Sequence, residues 1–250
     1  MILLFILGLG IGSFLNVVAL RYQLGGPIFN KSILTGRSHC PYCQKTLQWY
    51  ELVPLFSFLI QFGKCRHCKH NLTWQYPIVE LLSGLTFVFV PGFVEPAPVG
   101  IFVVLALILI TLIDLRLLVI PDQLNAFLAL LALAVIPITN YKLLITVHLL
   151  GVVFGAGLFG LIILLTKGRG MGMGDLKLAV VLGLLFGWPK VILIVGLAFV
   201  IGGIWAAILL LAKKKSLKDA IPFGPFLAIS AVAVIFVGDK LINFYSKHLL

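Results

Sequence analysis

Two aspartates in this chain each lie at one end of an apolar segment of membrane length. Asp114 ends one such segment, and Asp175 completes the sequence Gly172-Met173-Gly174-Asp175 at the start of another. An ionisable side chain at membrane depth is costly and is more often functional than decorative. Two neighbouring carboxylates can work as a pair, one ionised to take a proton and one protonated to give it. The pair therefore indicates acid–base chemistry on a membrane substrate.

Two glycines and a lysine surround Asp175. At Gly172 and Gly174 a backbone without Cβ lets a substrate strand approach, and glycine also tolerates unusual dihedral angles. We expect Lys177 to pair with Asp175 or to bind lipid phosphate, although a residue two positions along a helix points away from the Asp175 face.

Asp122 competes with Asp114 for the role of the first carboxylate. It precedes a predicted helix, where an aspartate is also a good N-cap. For Asp114 the non-catalytic alternative is a solvated cap or an ion pair with Arg116. An acid at a depth-sensitive position is expensive, which favours a functional role for Asp114.

The chain has four cysteines, and they form two C-x-x-C pairs separated by 21 residues. Each pair can place two thiolates on one ion, so the spacing predicts a tetrahedral zinc site with no open position, which is typical of a structural metal. A disulfide pair or four free thiols are the alternatives, and the predicted cytoplasmic location disfavours disulfides. The predicted zinc ligands are Cys40, Cys43, Cys65 and Cys68.

The composition is that of a polytopic membrane protein. Hydrophobic residues make up 61% of the 250 residues and charged residues 11%, whereas charged residues are about a quarter of a soluble domain. Residues 1–21 lack a positive n-region and a small-residue cleavage site, so they are predicted to be a retained span and not a signal peptide. Eight apolar runs approach the roughly 20 residues that a bilayer core needs. They are 2–20, 77–94, 99–113, 123–139, 143–166, 176–187, 191–212 and 221–237. The stretch 178–211 could be one bent helix, but a single helix would be about 50 Å long, so two spans broken at 187–189 are predicted.

The distribution of charge predicts the orientation of these spans. With the N-terminus outside, segments 21–69, 114–122, 167–177 and 213–219 are cytoplasmic and hold 15 of the 19 lysines and arginines, as the positive-inside rule requires. Both Asp114 and Asp175 then lie at the cytoplasmic face. The net charge of +11 indicates topology and contact with anionic membrane lipids, and nucleic-acid binding is disfavoured because the charges are spread over several loops.

Five motifs in a fixed order give the chain a family resemblance. They are 12–18 (GSFLNVV) with Arg21, the two C-x-x-C pairs, 77–82 (PIVELL), Asp114 with 120–122 (IPD), and 172–177 (GMGDLK). Together they resemble the bacterial type IV prepilin peptidases from about residue 8 to residue 180.

The resemblance implies an integral-membrane aspartyl protease of the G-x-G-D class. Such enzymes cleave the leader of type IV prepilins or pseudopilins at the cytoplasmic face of the inner membrane. Members of this long form then methylate the new N-terminal residue with S-adenosylmethionine. Asp114 and Asp175 match the catalytic pair of the family.

The methyltransferase implied by the resemblance has no recognisable Rossmann unit in this sequence, since no strand–helix–strand pattern with G-x-G-x-x-G occurs. Its cofactor site would then be built from the loop at 22–76 and the adjoining span ends. Glu51 and Glu80 are the acidic residues available there to orient a sulfonium cofactor or the new amine. The alternatives are a solvated loop acid for Glu51 and an interfacial partner of an arginine for Glu80.

We therefore predict an all-α membrane enzyme of about eight spans. Its parts are a first transmembrane helix at 1–21, a cytoplasmic zinc-knuckle loop at 22–76 associated with methyl transfer, and a peptidase core at 77–250. A transporter or proton-conducting protein would also use intramembrane carboxylates, and a zinc-bearing scaffold would need only the cysteines. Mutation of either aspartate distinguishes these classes.

Overall fold

The computed structural model describes residues 1–28, 30, 33, 35–135, 141–214, 216 and 219–249. Over these residues the chain is helical, and its only β-type pairing consists of two isolated bridges. The prediction of an all-α membrane protein is confirmed. The helices are α1 (Ile2–Arg21), α2 (Phe56–Ile60), α3 (Gln75–Phe89), α4 (Ala97–Leu117), α5 (Asp122–Val135), α6 (Tyr141–Leu165), α7 (Met173–Phe186), α8 (Lys190–Leu211) and α9 (Gly224–Leu249).

Each predicted apolar run coincides with one of these helices. The predicted break at 187–189 is present, because α7 ends at Phe186 and α8 begins at Lys190. Gly187 makes this break possible with φ 67°, a left-handed conformation that favours glycine. Residues 136–139, the end of the predicted fourth run, lie outside the described residues.

Five helices in the described part of the chain are long and apolar enough to cross a membrane, namely α1, α4, α8, and most of α6 and α9. The chain is therefore a multi-pass membrane protein. Helices α3, α5 and α7 have 15, 14 and 14 residues, which is about 21–23 Å at 1.5 Å per residue and less than a hydrocarbon core of about 30 Å. The count of eight spans stays a prediction.

The chain divides into two compact units, residues 1–105 and 106–250. In the first unit α1 packs closely on α3 because glycines of α1 face the backbone of α3. A Cβ at Gly12 would lie 2.7 Å from Glu80 Cα, and one at Gly8 would lie 2.6 Å from the carbonyl oxygen of Ser83. Small residues let helix backbones approach in this way in membranes. Asn16 adds a bond from its Nδ2 to the carbonyl oxygen of Tyr76 at 3.3 Å.

The polar segment between α1 and α3 is folded. Arg21 at the end of α1 donates to the carbonyl oxygens of Ile33, Gly36 and Arg37 at 2.8, 2.9 and 3.0 Å. A 3₁₀ turn at Trp49–Glu51 and the short helix α2 follow. These bonds and turns hold the described part of the segment beside the end of α1.

In the second unit α6 and α7 cross at small residues. A Cβ at Gly155 would lie 2.7 Å from the carbonyl oxygen of Ala179, and Gly151 and Gly183 meet in the same way through their backbones. These contacts bring the α7 backbone against α6, and Asp175 lies in the first turn of α7.

The close crossing of α6 and α7 gives a stability prediction. We expect Gly155→Ala to lower the free energy of unfolding by about 1–3 kcal/mol, because overpacking a tight contact forces backbone shifts. Gly157→Ala is the matched control on the same helix, since a Cβ there would meet nothing within 4 Å. The measurement is reversible unfolding in mixed detergent micelles. Equal stability of the two variants would contradict the predicted packing.

Candidate functional site: two carboxylates, four thiols and a cavity

The two C-x-x-C segments fold into the same backbone knuckle. In the first, the N–H of Cys40 donates to Lys45 O at 3.0 Å and the N–H of Gln44 donates to Cys40 O at 2.9 Å. The second repeats both bonds 25 residues later, from Cys65 to His70 O and from Lys69 to Cys65 O, each at 2.9 Å. Each turn closes through a positive φ, 57° at Gln44 and 59° at Lys69.

The two knuckles bring the four sulfur atoms together. All four lie within 4.8 Å of one another, and the Sγ pairs Cys40–Cys68 and Cys43–Cys65 are each 3.9 Å apart. A tetrahedral ion with Zn–S bonds of about 2.3 Å requires sulfur separations of about 3.8 Å. A disulfide would need about 2.05 Å. The four-cysteine arrangement therefore fits zinc and not disulfides.

The local backbone also favours a metal-binding thiolate. A backbone hydrogen bond from Cys68 lowers the pKa of the Cys65 thiol to about 7, against the opposing effect of burial. Thiolate, not thiol, is the metal ligand. Four sulfurs leave no open position, so the metal that fits here is structural.

Asp114 is a buried carboxylate in the last turn of α4. Only 4% of the residue is exposed, and its Oδ2 accepts a hydrogen bond from the backbone N–H of Gly224 at 2.9 Å. The solvated-cap alternative for Asp114 is therefore wrong.

Asp175 is half-buried in the first turn of α7. Its Oδ2 accepts from the backbone N–H of Gly172 at 3.2 Å. A carboxylate in the first turn is favoured by the helix dipole. The Asp175 carboxylate also lies close enough to Asp114 for the two charges to repel each other. The structure thus brings together the two aspartates that the sequence singled out.

Ile120 fills the space between the two aspartate-bearing segments. A Cβ at Gly174 would lie 3.2 Å from Ile120 Cβ, and one at Gly172 would lie 3.1 Å from Asp175 Oδ2. Neither glycine has a positive φ. The expectation of unusual dihedral angles at these glycines is wrong, and a side chain at either position would be in tight contact with a neighbouring atom.

Asp122 and Lys177 form an ion pair with each other. Lys177 Nζ lies 2.7 and 2.8 Å from the two carboxylate oxygens of Asp122. The predicted pairing of Lys177 with Asp175 is therefore wrong. The N-cap prediction for Asp122 is also wrong, because α5 begins at Asp122 itself and the carbonyl of Pro121 accepts the N–H of Leu124 at 3.1 Å. Asp122 remains exposed, unlike Asp114.

A cavity of about 540 Å³ lies in the first unit between α1, the knuckles and α3, and Glu51 lines it. The Glu51 side chain is 1% exposed, so the alternative of a solvated loop acid is wrong. Its Oε2 accepts from the N–H of Gln48 at 2.8 Å. Its Oε1 is buried and has no hydrogen-bond partner among the described residues, with His67 Nε2 4.0 Å away.

Glu80 lines the same cavity from α3. Its Oε2 accepts from the backbone N–H of Leu55 at 2.8 Å. This backbone donor takes the place of the arginine partner that the alternative required. The cavity thus has two buried carboxylates, of which one oxygen of Glu51 lacks a donor.

Gly224 is the site residue that sequence reasoning missed. It lies in 221–226 (IPFGPF), where a glycine before a proline resembles an ordinary helix start. No local sequence pattern indicates its role, because its hydrogen bond to Asp114 joins residues that are 110 positions apart.

Comparison with known proteins finds two family models that match the chain. Residues 6–92 match the family model described as the bacterial peptidase A24 N-terminal domain, and residues 101–207 match the type IV leader peptidase family. The chain belongs to the type IV leader peptidase family. Asp114 and Asp175 both fall within the second matched region.

Relatives in this family match the chain over nearly its whole length. A prepilin leader peptidase/N-methyltransferase of Bacillus subtilis is 33% identical over 256 residues, covering 99% of this chain and 98% of that protein. Proteins of the same name from Stutzerimonas stutzeri and Pseudomonas aeruginosa are 32% and 33% identical, each covering 96% of this chain and 91% of the relative. No solved structure shows a significant match. None of these findings favours the transporter hypothesis.

The sulfur geometry gives a metal prediction. We expect the purified protein to carry one zinc per chain and Cys40→Ser to lose it, because removing one of four thiolates opens the coordination sphere. His39→Ala is the control and should keep its zinc, since no histidine belongs to the metal-binding group found among the described residues. Elemental analysis by mass spectrometry measures both. A full complement of zinc in Cys40→Ser would refute the four-cysteine site.

Proposed function

We propose that this protein cleaves the leader of type IV prepilins or pseudopilins and then methylates the new N-terminus. The observation that carries the peptidase assignment is the pairing of buried Asp114 with Asp175 in a chain of the leader peptidase family. The relatives named prepilin leader peptidase/N-methyltransferase support the second activity.

In the peptidase step Asp114 and Asp175 act as one unit. Two close carboxylates hold a single proton between them, because their like charges oppose full ionisation. The ionised member takes a proton from the attacking water, while the protonated member polarises the scissile carbonyl. The proton then passes to the leaving amine. The half-buried Asp175 gives the pair access to water that Asp114 lacks.

Methyl transfer takes place in the cavity of the first unit. S-adenosylmethionine, when bound, supplies an electrophilic methyl group on a sulfonium cation. A volume of about 540 Å³ lies within the range of small-molecule sites, about 300–1,000 Å³. The unpartnered Oε1 of Glu51 is a buried acceptor that would lie beside the sulfonium cation or accept a hydrogen bond from the new amine.

Glu51 and Glu80 have different tasks in this site. Glu80 already holds the N–H of Leu55, so it ties the segment before α2 to α3. Oε2 of Glu51 accepts the N–H of Gln48, and its Oε1 is available to a ligand. Cys40 and Cys65 line the cavity, and a zinc ion held by the four cysteines would keep them in its wall, which is a structural task.

The active site faces the cytoplasm from the inner membrane, as the distribution of lysine and arginine indicates. The segment around α2 lies against the lipid interface there. Phe56, Leu59, Ile60 and Phe62 are exposed, Phe62 to 88%, and Trp74 before α3 contacts Phe58 at 5.2 Å between ring centroids. Exposed aromatic and aliphatic side chains beside a membrane helix are typical of interfacial contact.

The carboxylate pair gives a prediction for cleavage. We expect Asp114→Asn and Asp175→Asn each to lower kcat for leader removal by at least about 10²-fold, the usual contribution of an acid–base group. Asp122→Asn should cost at most about fivefold, because an exposed ion pair is worth about 1 kcal/mol or less. Mass spectrometry of a purified prepilin reads the leader loss. Full cleavage by both of the first two variants would remove the assignment, and loss of cleavage only in Asp122→Asn would transfer the role to Asp122.

The two glutamates give a prediction for methylation. We expect Glu51→Gln to reduce methyl transfer at least about tenfold while leader removal continues, because a buried cation loses its counter-charge. Glu80→Gln should lose less, since the amide oxygen can still accept the N–H of Leu55. The substrate is a peptide that begins at the mature N-terminus, so the measured rate of methyl transfer does not depend on leader removal. Equal methylation by Glu51→Gln and the unmodified protein would show that Glu51 does not bind the cation.

A further inference from the structure

We propose that Gly224, the first residue of α9, is a positioning residue of the peptidase. Its backbone N–H fixes the carboxylate of Asp114, and its lack of a side chain leaves the space which that carboxylate occupies. The inference rests on the proposed peptidase function and assigns to α9 a role in the carboxylate site.

The backbone N–H of Gly224 donates a hydrogen bond to the buried carboxylate of Asp114. A buried carboxylate without donors is costly, and the N–H of Gly224 reaches Asp114 Oδ2 at 2.9 Å in a buried bond. The other donors at the start of α9 are unavailable. Pro225 has no N–H, and the N–H groups of Phe226 and Leu227 go to the carbonyl of Phe223 at 3.0 and 3.2 Å.

The space around Gly224 also excludes a side chain. A Cβ there would lie 2.7 Å from Asp114 Oδ2, 3.3 Å from Asp114 Cγ and 3.2 Å from Ile120 Cδ1. The φ of Gly224 is not positive, so backbone strain does not explain the glycine. Any larger residue must displace Asp114, Ile120 or the end of α9.

The end of α9 is held so that it cannot simply move away. Phe223 lies 5.1 Å from Phe199 of α8 and 6.1 Å from Phe159 of α6, measured between ring centroids. Phe226 packs on α8 at Gly202, where a Cβ would meet its ring at 3.1 Å. Aromatic contacts of this kind fix the start of α9, so the adjustment to a side chain at 224 falls on Asp114.

The test compares Gly224→Ala with Gly203→Ala in the full-length protein. Gly203 lies in α8, where a Cβ would meet nothing within 4 Å. We expect Gly224→Ala to lower kcat for leader removal about 10²-fold with KM unchanged, because a displacement of about 1 Å in a catalytic group costs that much. Methylation of a peptide with the mature N-terminus should be unchanged, and Gly203→Ala should retain both activities.

A Gly224→Ala protein that cleaves at the rate of Gly203→Ala would overturn the inference, as would a rise in KM alone. If Gly224→Ala does not fold, glycolic acid introduced at position 224 replaces the N–H by an ester oxygen without adding a side chain. Reduced kcat in this ester variant supports the positioning role, and unchanged kcat refutes it. A wild-type protein that leaves prepilins intact would instead refute the proposed function itself.

Discussion

A carboxylate that is 4% exposed must find hydrogen-bond donors within the protein, and Asp114 finds one in the backbone at the start of α9. This bond requires a glycine at 224, a free N–H at that helix start and an aromatic cluster that holds the helix end. Ile120 then fills the space between Gly224 and Gly174, which sets the first turn of α7 and hence Asp175. The first turn of α7 and the start of α9 therefore both pack against the segment that carries Asp114 and Ile120.

The first unit also buries carboxylates, but it supplies their hydrogen-bond donors differently. Glu51 in the loop segment and Glu80 in α3 are both buried. Backbone donors from Gln48 and Leu55 satisfy one oxygen of each, and the paired knuckles hold the surrounding chain. A metal held by the four cysteines would add rigidity to a region with so little regular structure, as it does in small metal-bearing domains.

Much of this arrangement was predictable from the sequence. Apolar runs gave the helices, and the break between α7 and α8 followed from Gly187 and Pro189 because a single helix would exceed the membrane thickness. The four cysteines and the aspartate pair were recognisable from their spacing. What the sequence could not give were contacts between distant positions. The Lys177–Asp122 pair joins residues 55 apart and the Gly224–Asp114 bond joins residues 110 apart, and the burial of Glu51 depends on how the loop folds over it.

The most direct test of this account is mass spectrometry of one prepilin incubated with the purified wild-type protein, with and without S-adenosylmethionine. The account predicts leader loss in both samples and one added methyl group only in the sample with the methyl donor. That result would separate an acid–base reaction that needs no cofactor from a transfer that does. An intact prepilin in both samples, from protein that is folded and zinc-loaded, would contradict the assignment of Asp114 and Asp175 as a peptidase pair.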